Sequence, residues 1–178
     1  MHKPMRAIVV MGVSGCGKSS VAAALSDRIG AHMIEGDAYH PQQNVQKMKA
    51  GIALTDADRQ GWLEQLATEL ASVVATGRIA VLACSALKRR YRDTLRAGVG
   101  DLGFVFLEIS PQAALERVGM RSDHFMPATL VQSQFRDLEP PTGESGVVSV
   151  NASDPLQAIV DQAQRWWNSG STPSAIER

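Results

Sequence analysis

The chain is predicted to form a three-layer α/β/α domain around a five-stranded parallel sheet, and three observations point there. Short apolar runs alternate with amphipathic stretches, the pattern of strands covered on both faces and joined by helical crossovers. The first apolar run leads straight into a glycine-rich turn and then a helix-forming segment. A length of 178 residues suffices for one core without disulfides or a structural metal.

Taken in order, the expected strands are Ala7 to Met11, His32 to Glu35, Ile79 to Cys84, Gly103 to Ile109 and Val147 to Val150. The clearest helix between them carries Trp62, Leu63, Leu66, Leu70, Val73 and Val74 on one apolar face and ends at Gly77. Thr55 and Asp58 form a capping-box-like start for it, which is a structural role for that aspartate. Ser110 as N-cap followed by Pro111 starts another helix, and Pro155 after Asp154 starts the last. Residues 1–168 are read as one domain with a cover over about 117–136, and 169–178 as a flexible polar tail.

Composition narrows the function classes. Lys plus Arg equals Asp plus Glu at 18 each, so no global field recruits nucleic acid or an anionic membrane. Neither is expected as a partner. Cys16 and Cys84 have no redox or metal-type spacing and read as free thiols, small buried or half-buried residues. With no stretch near the ~20 apolar residues of a spanning helix, the expectation is a soluble, cytoplasmic protein.

The segment "GVSGCGKS" matches G-x-x-x-x-G-K-[ST] between a strand and a helix, the context that makes this motif a phosphate loop. Glycines let the backbone N–H groups turn inward, and the helix start adds the positive end of its dipole. The fold expected is therefore that of the P-loop NTPases. Gly12, Val13, Ser14, Gly15, Cys16, Gly17, Lys18, Ser19 and Ser20 would form the nucleotide-binding loop. Lys18 would reach the β and γ phosphates, and the Ser19 hydroxyl would face Mg²⁺.

The third strand ends in Cys84 and Ser85, where many P-loop hydrolases carry an aspartate. Carboxylates instead follow strand two, in "EGDAYHP", as Glu35 and Asp37. Their spacing of two places both on one side if the strand continues, one for magnesium-bound water and one for a substrate hydroxyl. No Asn-Lys-x-Asp guanine-reading motif is present. The polar segment after His40 reads either as a substrate cover with Asn44, Lys47 and Arg59 as contacts or as a solvated helical excursion. In "CSALKRRYRD", helical spacing cannot put Lys88, Arg89, Arg90 and Arg92 on one face, and Lys88, nearest the strand end, is the candidate for an acceptor carboxylate or a phosphate. Arg117, Arg121 and His124 precede a break at Pro127, where arginines on a cover can close over a transferring phosphoryl.

Together "EGDAYHP", "LTDADRQGWL", "CSALKRRYRD", "HFMPATLVQSQF" and "LEPP" occur in the order and spacing of the bacterial-type gluconokinases, relatives of shikimate kinase, and the resemblance covers about residues 6–167. It implies transfer of the ATP γ-phosphoryl to the 6-hydroxyl of D-gluconate, with Mg²⁺, in a homodimer. It also implies that Lys18, Asp37 and Arg121 are catalytic, Asp37 orienting the hydroxyl, and that Ser19 and Glu35 serve the metal. His40, Lys47, Arg59, Lys88 and His124 would lie on the substrate side. Arg117 would stack on adenine beside the "NASDP" loop, and Arg121 would touch phosphate. Cys16, where Ser is commoner, and Glu35, often Asp, depart from the family pattern. A kinase of another sugar acid or of shikimate, or an ATP-gated regulatory module without chemistry, is the alternative.

Overall fold

The computed structural model describes residues 5–120 and 127–170. Strands β1 (Ala7–Met11), β2 (His32–Glu35), β3 (Ala80–Ala83), β4 (Leu102–Glu108) and β5 (Val147–Asn151) form one all-parallel sheet in the order β2-β3-β1-β4-β5. The helices are α1 (Lys18–Ile29), α2 (Gln42–Lys49), α3 (Asp56–Ala75), α4 (Arg89–Gly98), α5 (Pro111–Gly119), α6 (Ala128–Asp137) and α7 (Leu156–Asn168). Because the chain goes from β1 to one side of the sheet and later returns to the other, the crevice at the carboxyl end of β1 is the switch point where such sheets bind ligands.

The period of two in β1 explains why its sequence is apolar throughout. Ala7, Val9 and Met11 pack with Leu63, Leu66 and Leu70 of α3 and Leu95 of α4, while Ile8 and Val10 meet Val21 and Leu25 of α1 and Ile159 and Val160 of α7. Both faces are covered, so no polar position remains. Each fully buried leucine in these layers contributes roughly 1.5–3 kcal/mol.

The helix starts follow their caps. Thr55 Oγ1 accepts the Asp58 N–H at 3.1 Å, and Asp58 Oδ2 accepts the Thr55 N–H at 2.9 Å, a complete capping box for α3. Ser110 Oγ accepts the Ala113 N–H at 3.2 Å, with Pro111 in the first turn of α5. At α7, Pro155 is the N-cap and Leu156 the first helical residue, one position later than the sequence suggested.

The strand edges differ slightly from expectation. β3 stops at Ala83, since beyond it Cys84 N–H still bonds the Val10 carbonyl but Ser85 turns its carbonyl to Gly12. β4 is shifted one residue toward the N-terminus, with Leu102 paired to Ala7. The larger correction is after β2: the strand ends at Glu35 and a 3₁₀ turn, Gly36–Tyr39, takes over, so Glu35 and Asp37 do not share a strand face. The cover expected over 117–136 comprises the end of α5, residues 121–126 outside the description, and most of α6. Of the expected tail, 171–178 also lie outside it. Among the described residues, no helix is long and apolar enough to cross a membrane.

Candidate active site

The phosphate loop joins β1 to α1. At Gly15, φ is +86°, and a Cβ would lie 2.9 Å from the Ala114 carbonyl oxygen, so both backbone sign and space demand glycine. Val13 and Cys16 are buried beneath the loop, and Lys18 Nζ folds back to donate to the Val13 carbonyl at 3.2 Å. Cys84, one strand away, is a free thiol whose pKa burial pushes up to about 12, which leaves it inert.

Ser19, in the first turn of α1, donates its hydroxyl proton to Glu35 Oε2 at 2.6 Å, linking the helix start to the end of β2. A hydroxyl and a carboxylate side by side are hard oxygen donors suited to magnesium that keeps its waters and arrives with phosphates. Among the described residues, no cluster of three His, Cys, Asp or Glu side chains could hold a metal by itself. The donor set therefore fits a shared, nucleotide-borne ion.

The 3₁₀ turn delivers Asp37 to a pocket at the mouth of the loop, where it lies with Ser14, Lys18, His40, Arg59 and Ser85. The Asp37 side chain is 79% exposed, with His40 Nε2 3.8 Å from Oδ1. His40 itself is nearly covered, stacked on Trp62 at 3.9 Å between ring centroids, and burial pulls its pKa below the ordinary 6.5 against the pull of Asp37. The indole N–H of Trp62 donates to the Gly36 carbonyl at 2.8 Å, so α3 fixes the turn that carries Asp37. Asn44, buried on α2, donates to the Asp58 carbonyl at 2.9 Å and lies 3.3 Å from His40 Nδ1.

The cations expected on the acceptor side divide. Arg59 reaches the pocket wall, held by the Tyr91 hydroxyl at 2.8 Å and Asp137 Oδ2 at 3.2 Å, with its guanidinium 5.3 Å from the Tyr91 ring centroid. Lys47 instead pairs with Asp58 at 2.8 Å, and Lys88 with Asp56 at 2.9 Å; neither joins the pocket lining. A hydrogen bond from Tyr91, then one from Lys88, hold the Asp56 carboxyl at about 2. Hydrogen bonds from Lys47 and the Thr55 backbone do the same for Asp58.

On the other side of the loop, Arg117 donates to the Gly15 carbonyl at 3.3 Å and to the Ala152 carbonyl at 2.7 Å. With Ser20, Ala152, Asp154 and Leu156 it borders a cavity of about 430 Å³, of a size and position for a nucleoside. Arg121 and His124 lie outside the described residues. Sequence reasoning missed Gln134, whose side-chain oxygen accepts the Ser14 N–H at 2.7 Å. The available signal was polar Ser133, Gln134 and Asp137 sharing a helical face with buried Leu130.

Two recesses thus border one glycine-rich loop, one of a size for a nucleoside and one with polar groups in its lining. A family profile described as an AAA domain matches residues 8–141. The chain is 44% identical over 160 residues to a gluconokinase of Gluconobacter oxydans (strain 621H), covering 90% of each chain. It is 37% identical to the thermoresistant gluconokinase of Escherichia coli (strain K12), over 85% of this chain and 87% of that one. The crystal structure of a gluconokinase from Sinorhizobium meliloti 1021 superposes with a TM-score of 0.85 at 46% identity, over 95% of both chains. Identity of this extent over nearly the whole of each chain means that the chain belongs to the gluconokinase family of P-loop kinases.

Proposed function

We propose that the protein transfers the γ-phosphoryl group of ATP to the 6-hydroxyl of D-gluconate, giving 6-phospho-D-gluconate and ADP. The observation that carries this reading is that Lys18 and Asp37, from two separate segments, line one pocket at the mouth of the phosphate loop. Names of relatives at 37–44% identity support gluconate as the acceptor.

Phosphoryl transfer needs alignment and charge neutralisation more than a strong base. Lys18 leaves the Val13 carbonyl to meet the γ-phosphoryl oxygens, and Asp37 accepts the hydrogen bond of the attacking hydroxyl and holds it in line. Arg59 offers its guanidinium to the carboxylate end of the acid. Ser19 and Glu35 are the residues that would hold Mg²⁺, which when bound neutralises charge on the phosphate oxygens. Residues 1–168 act as one kinase domain whose segment 117–136 covers the reacting groups and excludes water. A cytoplasmic homodimer supplying 6-phosphogluconate to the pentose phosphate route completes the proposal.

The test is coupled ADP release with Mg²⁺-ATP against D-gluconate, other aldonic acids, shikimate and water. Strong stimulation by D-gluconate alone is expected. Stimulation by another acid instead would overturn the acceptor assignment, and stimulation by none would overturn transfer itself.

A further inference from the structure

Arg59 reaches the acceptor pocket from near the start of α3, and among the described residues both of its side-chain hydrogen bonds leave from one atom. Nη1 donates to the Tyr91 hydroxyl at 2.8 Å and to Asp137 Oδ2 at 3.2 Å, which engages both of its N–H groups. The Tyr91 hydroxyl has a single proton, and that proton goes to Asp56 Oδ1. Towards Arg59 it can therefore only accept. Asp56 and Arg59 stand three apart on α3, so one helix face supplies both the acceptor that orients the hydroxyl and the donor that uses it. This polarity is fixed around neutral pH, because hydrogen bonds from Tyr91 and Lys88 hold the Asp56 carboxyl at about 2, while burial and the bond to Asp56 push the Tyr91 pKa up. Neither Tyr91 nor Asp137 lines the pocket itself.

We infer that Tyr91 and Asp137 are positioning residues that aim Arg59: by holding Nη1 they turn the Nε and Nη2 edge of the guanidinium to the carboxylate of the acceptor. This deepens the kinase reading above and rests on it. With Nη1 engaged, the planar fork keeps one edge on which two parallel N–H groups can meet two carboxylate oxygens. A long side chain left loose would lose its freedom when the acid binds; held beforehand, it meets the acid already ordered. A neutral hydroxyl suits the shorter of the two holds, since it fixes direction without cancelling the charge that the acid's carboxylate requires. Asp137 comes from α6, so the packing of that helix also sets where the edge points. Lysine could not replace Arg59 here, because its single nitrogen has no second edge to present.

The experiment compares the wild-type chain with Tyr91→Phe, Asp137→Ala, Arg59→Lys and the double variant of Tyr91→Phe with Arg59→Lys. Tyr91→Phe keeps the ring that packs in the core and removes only the hydroxyl. Tyr91→Phe and Asp137→Ala should each raise the KM for D-gluconate about tenfold, the scale of one hydrogen bond to a charged group, while kcat and ADP affinity by titration calorimetry stay within about threefold. Arg59→Lys should raise KM at least as far. In the Arg59→Lys background, Tyr91→Phe should add less than about twofold, because the edge it aims is gone. A hydroxyl that only supports packing would cost the same factor in both backgrounds, which would overturn the inference. So would a wild-type KM in Tyr91→Phe or Asp137→Ala, or an ADP affinity that falls as far as KM rises. A wild-type KM in Arg59→Lys would overturn it too and leave the kinase reading standing. The wild-type control separates the two: if it uses a different acid, the gluconate assignment falls and the variants are judged with that acid; if it uses no acceptor, both fall.

Discussion

At the level of single residues, the site divides into groups that face ligand and groups that hold them there. Asp37 is exposed at the pocket mouth, and among the described residues its carboxylate meets the 3.8 Å approach of His40 and no closer hydrogen-bond donor. Asp37→Ala should therefore lower turnover by ~100-fold or more while leaving ADP affinity intact, the usual scale for removing an acid–base or positioning group. Near-normal turnover in the coupled assay would remove Asp37 from the mechanism. His40 has the opposite character, buried on Trp62 with its pKa lowered chiefly by burial. Its folded pKa lies below 6.5, so between those values the unfolded chain binds more protons. The stability it contributes is full above 6.5 and is lost as pH falls through the folded value. Urea unfolding at pH 8 and pH 5.5 should show a larger loss for wild type than for His40→Asn, and equal losses would refute the assignment.

At the level of elements, the turn after β2 decides where the chemistry sits. Its first residue, Gly36, passes so close to β3 that a Cβ would stand 2.4 Å from the Ala83 carbonyl oxygen. Gly36→Ala must push the end of β2 away from β3, and overpacking of this kind costs about 1–3 kcal/mol. The same shift moves Asp37, so kcat should fall together with the urea midpoint; a variant equally stable and active would show that the turn accommodates the methyl group. The turn was not readable from spacing, because a Glu-x-Asp pattern suits a strand as well as a 3₁₀ turn and only the close approach of β3 selects the latter. The start of α3 was readable, because its capping box is built from residues three apart in the chain.

At the level of the whole molecule, a buried ion network ties the acceptor wall to the far side of α4. Arg92 is fully buried and donates to the Ala86, Leu87 and Glu139 carbonyls and, at 2.6 Å, to Glu144. Ala86, held at φ +47°, lies in the connection that also carries Ser85 to the pocket. Burial alone would raise the Glu144 pKa, but hydrogen bonds from Arg92 and Arg96 prevail and lower it. Its stabilising contribution is thus present above pH 4.5 and lost as pH falls below it. Arg92→Met leaves three carbonyls without this donor and Glu144 with Arg96 alone, so a loss of about 3–5 kcal/mol is expected in denaturant unfolding. A loss under ~1 kcal/mol would mean that the segment after Glu139 is held by packing instead.

The sequence alone determined the five strands along the chain, the phosphate loop, the double-sided burial of β1, the start of α3 and the kinship with gluconokinases. These features depend on short-range spacing: periods of 2 and 3.6, caps three residues apart, a motif eight residues long. Tertiary structure decided the strand order and which basic residues face the pocket. Arg59, Lys47 and Lys88 look alike along the chain. Only the packing of α3 against α4, with Asp137 reaching from α6, gives Arg59 to the pocket wall, while Asp58 and Asp56 claim the two lysines. The Ser14 to Gln134 contact was invisible for the same reason. Which polar groups meet across 120 residues depends on how whole elements dock, and docking is set by the summed burial of apolar faces that local spacing encodes only one element at a time.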